Sequence, residues 1–583
     1  MKVGAALRQS SRHSAGRGGK DHRYLMLPVI LAATFMQLID VSIVNVAIPS
    51  IQSNLTASFA AIELVVAGYQ LAFAVTLITA GRLGDIFGRR RLFLVGMAGF
   101  TVASAVSGAA PTAGILVVAR LFQGFFAGIM YPQVLSVIQV SFEPRERGKV
   151  FGIFGAVIGL ATILGPLLGG VLIALDIAGL SWRLIFYVNV PIGVLAFAGA
   201  VKLLPESTAP DAPRLDLAGA GLATAGLGLL IYPLIEGRQQ GWPLWLDVML
   251  AASAPVLAMF AWYQRRKSGR PDGHPLVRWT LFHQRAFVAG CGLSVVFFLG
   301  LAPFFFTFSL YLQIGMGFTA LGAGLTLLPF AVGSGIASYL SDQVARLMGK
   351  WVLGLGSIVL AVAMGLVILT IHQVGTQVHI YDLIPALLLA GIGLGLVVAP
   401  LTNIVLAEIR QVDYGAASGV LSTVQQVGGA VGVALVSVVF FGLIGFNANS
   451  ASASAVGPLR SELTAAHVPA PAAARIEHGF TVCFHARAAE KDPSVNPPAC
   501  RALIAAARSS PAPPPVRAAI TRAVVGHAVP AAQRADFTRT IQQTLIYEIV
   551  VFVLSFLIIV ALPRSDPALL GHRRGAGAPT ASG

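Results

Sequence analysis

Gly81-Arg82-Leu83-Gly84-Asp85-Ile86-Phe87-Gly88-Arg89-Arg90-Arg91 stands between two apolar runs, Ile62 to Leu83 and Leu92 to Ala110. Each run is long enough to cross about 30 Å of hydrocarbon as a helix. The glycines make a tight turn between them, and a cluster of arginines in a short loop marks the cytoplasmic side of a membrane. Asp85 falls at a helix C-terminus, where the helix dipole disfavours an anion, so a cation has to compensate it. Two readings follow from the residues alone: topological charge on a glycine turn, or a charge latch that holds helices together and can be broken.

The surroundings decide the class. Of 583 residues, 56% are apolar and only 11% charged, against about 25% charged in a soluble domain. Fourteen apolar stretches of spanning length recur between short polar segments, which predicts an all-α polytopic membrane protein. The formal charge of +16 could suggest nucleic acid, but 27 of the 40 Lys and Arg fall in segments that alternate to one side with the basic N-terminal tail. Only Arg183 and Arg238 lie in short loops on the other side. The basic balance is therefore topology, both termini are expected in the cytoplasm, and nucleic acid is not an expected partner. The first apolar run is near 25 residues, longer than the about 7 to 15 of a signal peptide core, so it reads as a retained span.

The chain divides into a cytoplasmic tail 1–23, a six-span half 24–205, two inserted spans with linkers 206–285, a second six-span half 286–563 and a tail 564–583. The halves repeat one another. Ser341-Asp342 followed by Arg346 at the end of span 10 mirrors Asp85 and Arg89 at the end of span 2, and Gly415-Ala416-Ala417-Ser418-Gly419 at the start of span 13 mirrors Gly148 to Gly152 at span 5. The segment 447–544 before the last span is Ala- and Pro-rich and reads as an outer loop, with short helical pieces near Arg501 to Arg508. Cys483 and Cys500 both lie in it, a disulfide candidate beside the alternative of two free thiols.

Two charges are placed where charge is expensive. Asp40, in Ile39-Asp40-Val41-Ser42-Ile43-Val44-Asn45-Val46-Ala47-Ile48-Pro49, falls within span 1 and Arg120 within span 4. Asp40 is roughly 24 Å from the cytoplasmic start of its span and Arg120 roughly 9 Å from the outer start of its own. The depths agree to within a turn, so the two can pair; a static pair and a titrating coupling site are both open. Span 5 carries Gly159, Gly165, Pro166, Gly169 and Gly170, a small-residue seam with a bend expected at the proline. Asn45, Gln70, Gln123, Tyr131, Gln133, Asn403 and Gln425 are polar within spans and are candidates to line a substrate path, with interhelical hydrogen bonding as the equal alternative. Spans 9 to 13 hold no deep carboxylate, so a dication, which needs at least two buried anions, is not an expected substrate.

These motifs resemble those of the major facilitator superfamily, and within it the fourteen-span drug:proton antiporters of the EmrB/QacA type. Asp40 to Pro49 is similar to that group's span 1 signature, Gly81 to Arg91 to the superfamily's cytoplasmic loop motif, Arg120 to Gly124 to its span 4 motif, Gly159 to Gly170 to its antiporter motif, and Trp182 to Gly193 to the start of span 6. The resemblance implies the major facilitator fold and proton-driven multidrug efflux from the bacterial cytoplasmic (inner) membrane by alternating access. It implies a coupling role for Asp40 and Arg120, and a cytoplasmic gate made by Gly81, Gly84, Asp85, Gly88, Arg89 and Arg90 with Asp342 and Arg346. Leu64 departs from the group's usual Trp, and Ala345 stands where Gly88 stands in the first copy. The implied partners are lipophilic small molecules, protons and membrane lipid; a periplasmic adaptor is left open, as is export of a specific endogenous metabolite or lipid, or a receptor or scaffold role. No cofactor is expected. An ATP-binding G-x-x-x-x-G-K-[ST] loop and an H-E-x-x-H metal motif are missing from the sequence, so an ATP-driven pump or a membrane enzyme is disfavoured.

Overall fold

The computed structural model describes residues 18–57, 59–208, 216–270, 273, 275–406, 409–410, 413–490, 497–509 and 513–561. The two tails are outside the described residues except for the stretch that opens the first helix. The long helices among the described residues are, in order, α1 Gly18–Leu55, α2 Phe59–Phe87, α3 Arg89–Ala109, α4 Ala113–Ser141, α5 Pro144–Leu175, α6 Asn189–Leu203, α7 Leu217–Gln240, α8 Leu244–Ser268, α9 Arg285–Leu310, α10 Ala320–Met348, α11 Trp351–Val374, α12 Ile384–Leu406 and α13 Tyr414–Ala465, which runs into the long segment. Among the described residues, 13 helical stretches are long and apolar enough to cross a membrane, and α2 makes a fourteenth although it bends by 51° between Leu77 and Thr79. Thr76 donates its hydroxyl to the Ala72 carbonyl at 2.6 Å within that helix, the kind of back-bonding that bends helices. The expected bend at Pro166 has no counterpart as a break, for α5 runs unbroken through it.

Apolar residues face outward as well as inward, as a bilayer permits. Val102, Leu195, Leu244 and Phe446 are more than half exposed. The first half is cored by residues such as Met36, Tyr69, Phe73, Phe93, Met97 and Met130, and the second by Phe297, Phe304, Phe308, Phe330, Met364 and Phe552. Phe304 is thus a core residue, stacked on Phe308 and Phe330. The inserted α7 packs Ala223, Leu227 and Ile231 into the second half's core and touches both α2 and α13. At its start Asp216 accepts from the Gly219 amide and from Gln264 and pairs with Lys267 at 2.8 Å, clamping α7 to α8. Burial alone would raise the Asp216 carboxyl, but these partners hold it below the usual aspartate range.

The segment read as a loop is instead largely helical. Helix α13 has 52 residues, about 78 Å of rise against about 30 Å of hydrocarbon, so it projects well beyond a membrane on the side away from Tyr414. It is followed by α14 Ala470–Ala488, α15 Pro498–Ser509, α16 Pro514–Thr521 and the long α17 Val529–Ala561, which returns as the last span. Alanine is the best helix former, and several of the prolines stand at helix starts: Pro471 is the second residue of α14, and Pro514 and Pro515 open α16, while Pro458 lies inside α13. Ala451, Leu459, Leu463, Phe480, Phe484, Leu503, Ile520 and Val524 give this subdomain a core of its own. Cys483 and Cys500 meet inside it with Cα atoms 4.5 Å apart and their sulfurs bonded.

Candidate functional site: a buried charge network and a two-part latch

Asp40 is wholly buried on α1 and Arg120 on α4 is 1% exposed. The helix spacing that made their depths agree brings them together, and Arg120 Nη1 donates to Asp40 Oδ2. The other carboxylate oxygen accepts from Gln123 Nε2 at 2.8 Å and Asn189 Nδ2 at 3.1 Å. Arg120 Nη1 also donates to Gln123 Oε1 at 2.8 Å, and its Nε to the Val65 carbonyl at 3.0 Å. The guanidinium lies over the Tyr69 ring, 4.2 Å from its centroid. Asn189 further donates to Ser104 Oγ at 3.1 Å. Five helices of one half, α1, α2, α3, α4 and α6, thus converge on one neutralised charge pair. Both carboxylate oxygens are satisfied, which is what makes a buried charge tolerable. The chemistry open to this site is a proton exchange that cancels the Asp40 charge and frees Arg120.

Asn189 and Tyr69 were not singled out by the sequence. Asn189 sits in the Trp182 to Gly193 stretch that resembles the start of span 6, a polar residue among apolar ones, and that resemblance was the signal to follow. The same stretch ties the outer ends together: Trp182 donates to Asn54 at 3.2 Å and Arg183 to the carbonyls of Gly108 and Ala110.

A second site lies where the two halves touch. Asp85 bonds Arg89 at 2.8 Å and has Arg82 at 3.8 Å, all three buried. Its carboxylate rests against Gly415 at the start of α13, and the Gly81 backbone abuts Gly415 closely enough that a Cβ on either glycine would collide with the other's carbonyl. Reciprocally, the Asp342 carboxylate rests against Gly148 at the start of α5, and it pairs with Arg346 one turn on. Each half therefore places an acid on the other half's glycine, and the two copies that the sequence pairs face one another across the seam. Asp413, 2% exposed, adds to the first contact by bonding Arg410 and Arg278, the latter from the linker after α8.

Not every expected gate residue crosses the seam. Gly88 has φ +105°, a conformation that favours glycine, and turns the chain from α2 into α3. Arg90 bonds the Val201 carbonyl and its own amide meets Glu206, both within the first half. Gly84 makes room for Gln133, whose amide bonds the Ala80 and Ile129 carbonyls. Along α5, Gly152 and Gly159 meet Ser338 and Ser334 of α10, whereas Gly165 and Gly169 meet Ser42 and Ile43 of α1. Pro166 and Gly170 are half-buried between them.

The candidate path residues that are described fall in different surroundings. Gln123 belongs to the charge network and Gln133 to helix packing. Asn403 lines a small cleft beside Asp342, Arg346 and Pro400. Gln70, Tyr131 and Gln425 are half-buried within α2, α4 and α13. Asn45 is in α1, but its side chain lies outside the described residues. Among those residues no cluster of His, Cys, Asp and Glu could hold a metal.

The carboxylate that escaped the sequence is Glu548, wholly buried in α17. It gives the membrane region a second deep acid beside Asp40, in span 14 and so outside the spans 9 to 13 on which the expectation against dications rests.

Residues 30–433 match the model of the Major Facilitator Superfamily. The chain is 39% identical over 491 residues to the "Probable actinorhodin transporter" of Streptomyces coelicolor, covering 84% of this chain and 85% of that one. It is 37% identical over 437 residues to the "Puromycin resistance protein pur8" of Streptomyces alboniger, covering 74% and 84%. Among solved structures it resembles the proton:xylose symporter XylE with a TM-score of 0.52 at 15% identity, over 71% of this chain and 88% of that one, a likeness of fold. The paired halves, the seam of α2 and α5 against α13 and α10, and these matches agree: the chain belongs to the Major Facilitator Superfamily.

Proposed function

We propose that this protein is a proton-coupled exporter of lipophilic small molecules. It sits in the bacterial cytoplasmic membrane with both termini inside, works by alternating access, and performs no chemical step on its cargo. The observation that carries proton coupling is the Asp40 and Arg120 pair, fully buried and fully satisfied. Protonating Asp40 would leave Arg120 an uncompensated cation, so the network is stable only in one charge state and its rearrangement is tied to the proton. With the Asp85 and Asp342 contacts made, the arrangement described is the one closed to the cytoplasm. The names of the relatives support the cargo class, since they include exporters and resistance proteins for antibiotics. Alignment with the actinorhodin relative over most of both chains also favours a dedicated role in exporting one metabolite.

Proteoliposomes holding the purified full chain test this. An imposed pH gradient should drive accumulation of a lipophilic fluorescent cation or of actinorhodin, and a protonophore should abolish it. Accumulation that ignores the gradient would end the proton-coupled reading. Actinorhodin carried while the simpler cation is not would favour the dedicated role.

A further inference from the structure

Among the described residues, Glu548 is a wholly buried acid that the coupling scheme leaves unused. Its side chain is 0% exposed, and neither carboxylate oxygen accepts a hydrogen bond from any described residue. It faces Gly300 of α9, where an added Cβ would stand 3.0 Å from Glu548 Oε2 and 3.0 Å from Val551 Cγ1. Glycine at that position leaves just the space the carboxyl fills. Phe552 and Phe297 close the same pocket, with ring centroids 5.7 Å apart.

No counter-charge faces it. The packed helices α9, α11 and α13 carry no Asp, Glu, Lys or Arg between 286–310, 351–374 and 415–459, and the one histidine there is His372 at the far end of α11. The remaining titratable neighbours are Cys291 and Tyr311 on or after α9, and Tyr547 beside it, whose hydroxyl is engaged with the Leu299 carbonyl at 3.1 Å. On its own helix Asp536, Arg534 and Arg539 lie nine or more residues away, about 14 Å or more along the axis. An ionised carboxylate in such a pocket has neither a cation nor a donor to offset its desolvation.

The internal repeat gives the position meaning. Spans 1 and 6 correspond to spans 9 and 14. In the first half α6 sends Asn189 to the acid Asp40 on α1; in the second, α17 sends the acid itself to Gly300 on α9. Gly300 is 15 residues from Arg285 and Asp40 is 16 from Tyr24, so the sites are at matching depths of about 22 and 24 Å. Helix α12, the counterpart of α4, supplies no arginine. What neutralises Asp40 from within the protein must reach Glu548 from outside.

We infer that Glu548 is a second intramembrane proton-binding site. In the arrangement closed to the cytoplasm one carboxylate oxygen carries a proton, and that O–H proton is given up to water when α9 and α17 separate during transport. This rests on the exporter reading for its role in the cycle, but not for the presence of the proton.

Infrared difference spectra of the full chain in lipid nanodiscs at neutral pH, comparing wild type with Glu548→Gln, test the proton directly. Gln keeps the shape and is neutral, so the fold should persist. The carbonyl stretch of a protonated carboxylic acid should be present in wild type and in Asp40→Asn and missing from Glu548→Gln. In proteoliposomes, the number of protons moved per substrate should halve in Glu548→Gln. Identical carboxylic acid bands with and without Glu548 would overturn the site. A lost band with an unchanged proton ratio would overturn its part in the cycle. If the band behaves as expected while wild type exports without regard to the pH gradient, the site stands and the coupling reading of the preceding section fails.

Discussion

Asp40→Asn imitates the protonated state permanently and, by the same token, leaves the buried Arg120 with only neutral partners, Gln123, the Val65 carbonyl and the Tyr69 ring, so some stability should be lost. The variant should fold and bind substrate but fail to concentrate it against a gradient, which vesicle transport and equilibrium binding measured together will show. Arg120→Ala should be harsher. It strands a carboxylate at zero exposure, a loss of about 3 to 5 kcal/mol, read as reduced expression and a lower midpoint in thermal scans. Asn189→Ala leaves one Asp40 bond and one Ser104 bond unmade, a loss of about 1 to 3 kcal/mol. Asp40 and Arg120 were legible in sequence because a charge amid apolar residues is conspicuous and costly. Asn189 was not, since a neutral amide in a span has many uses. Glu548 falls only three residues into the last apolar run, Leu545 to Leu562, where an acid reads as the polar edge of a span.

At the level of elements, the seam is held by close backbone approach at Gly81 and Gly415 rather than by long side chains. Gly81→Val should wedge α2 from α13 and favour the open latch. Spin labels at the exposed positions Phe87 and Leu347, one on each half, should report a longer and broader distance distribution than in the parent. An unchanged distribution would show that the glycines are not the contact. The spans themselves were legible from hydropathy, and the facing acid and glycine copies from internal repetition. The helical subdomain was not. Ala- and Pro-rich composition suggests loop when prolines are counted, and suggests helix only when their positions at helix starts are known. In that subdomain, removing the link between Cys483 and Cys500, 17 residues apart, should cost about 3 kcal/mol locally, seen as faster proteolysis of 466–528 in the Cys483→Ser, Cys500→Ser protein. The Arg460 fork holds the Glu477 carboxyl below the usual glutamate range. Its contribution is therefore full above the unfolded value and is lost as pH falls through the lowered one, so protease resistance there should fade on acidification.

For the whole molecule, sidedness follows from the charge asymmetry of the loops. Single cysteines at Gly269 and at Ser461, both exposed, should react with a membrane-impermeant maleimide from opposite sides, Gly269 only in permeabilised cells. Reaction of both from one side would invert or break the arrangement.

The length of α13 has a mechanical consequence. The same uninterrupted helix touches Asp85 through Gly415 at one end and forms the wall of the far subdomain at the other. If it pivots near Gly428, where it packs against Val295, the far tip at Ala465 is about 55 Å away. A swing of about 15°, the size of a known subunit rotation, would sweep that tip about 14 Å. Such a pivot would make the subdomain an external pointer geared to the latch, and a binder that pins it to the outer ends of α3 and α4 should then brake transport without ever entering the membrane.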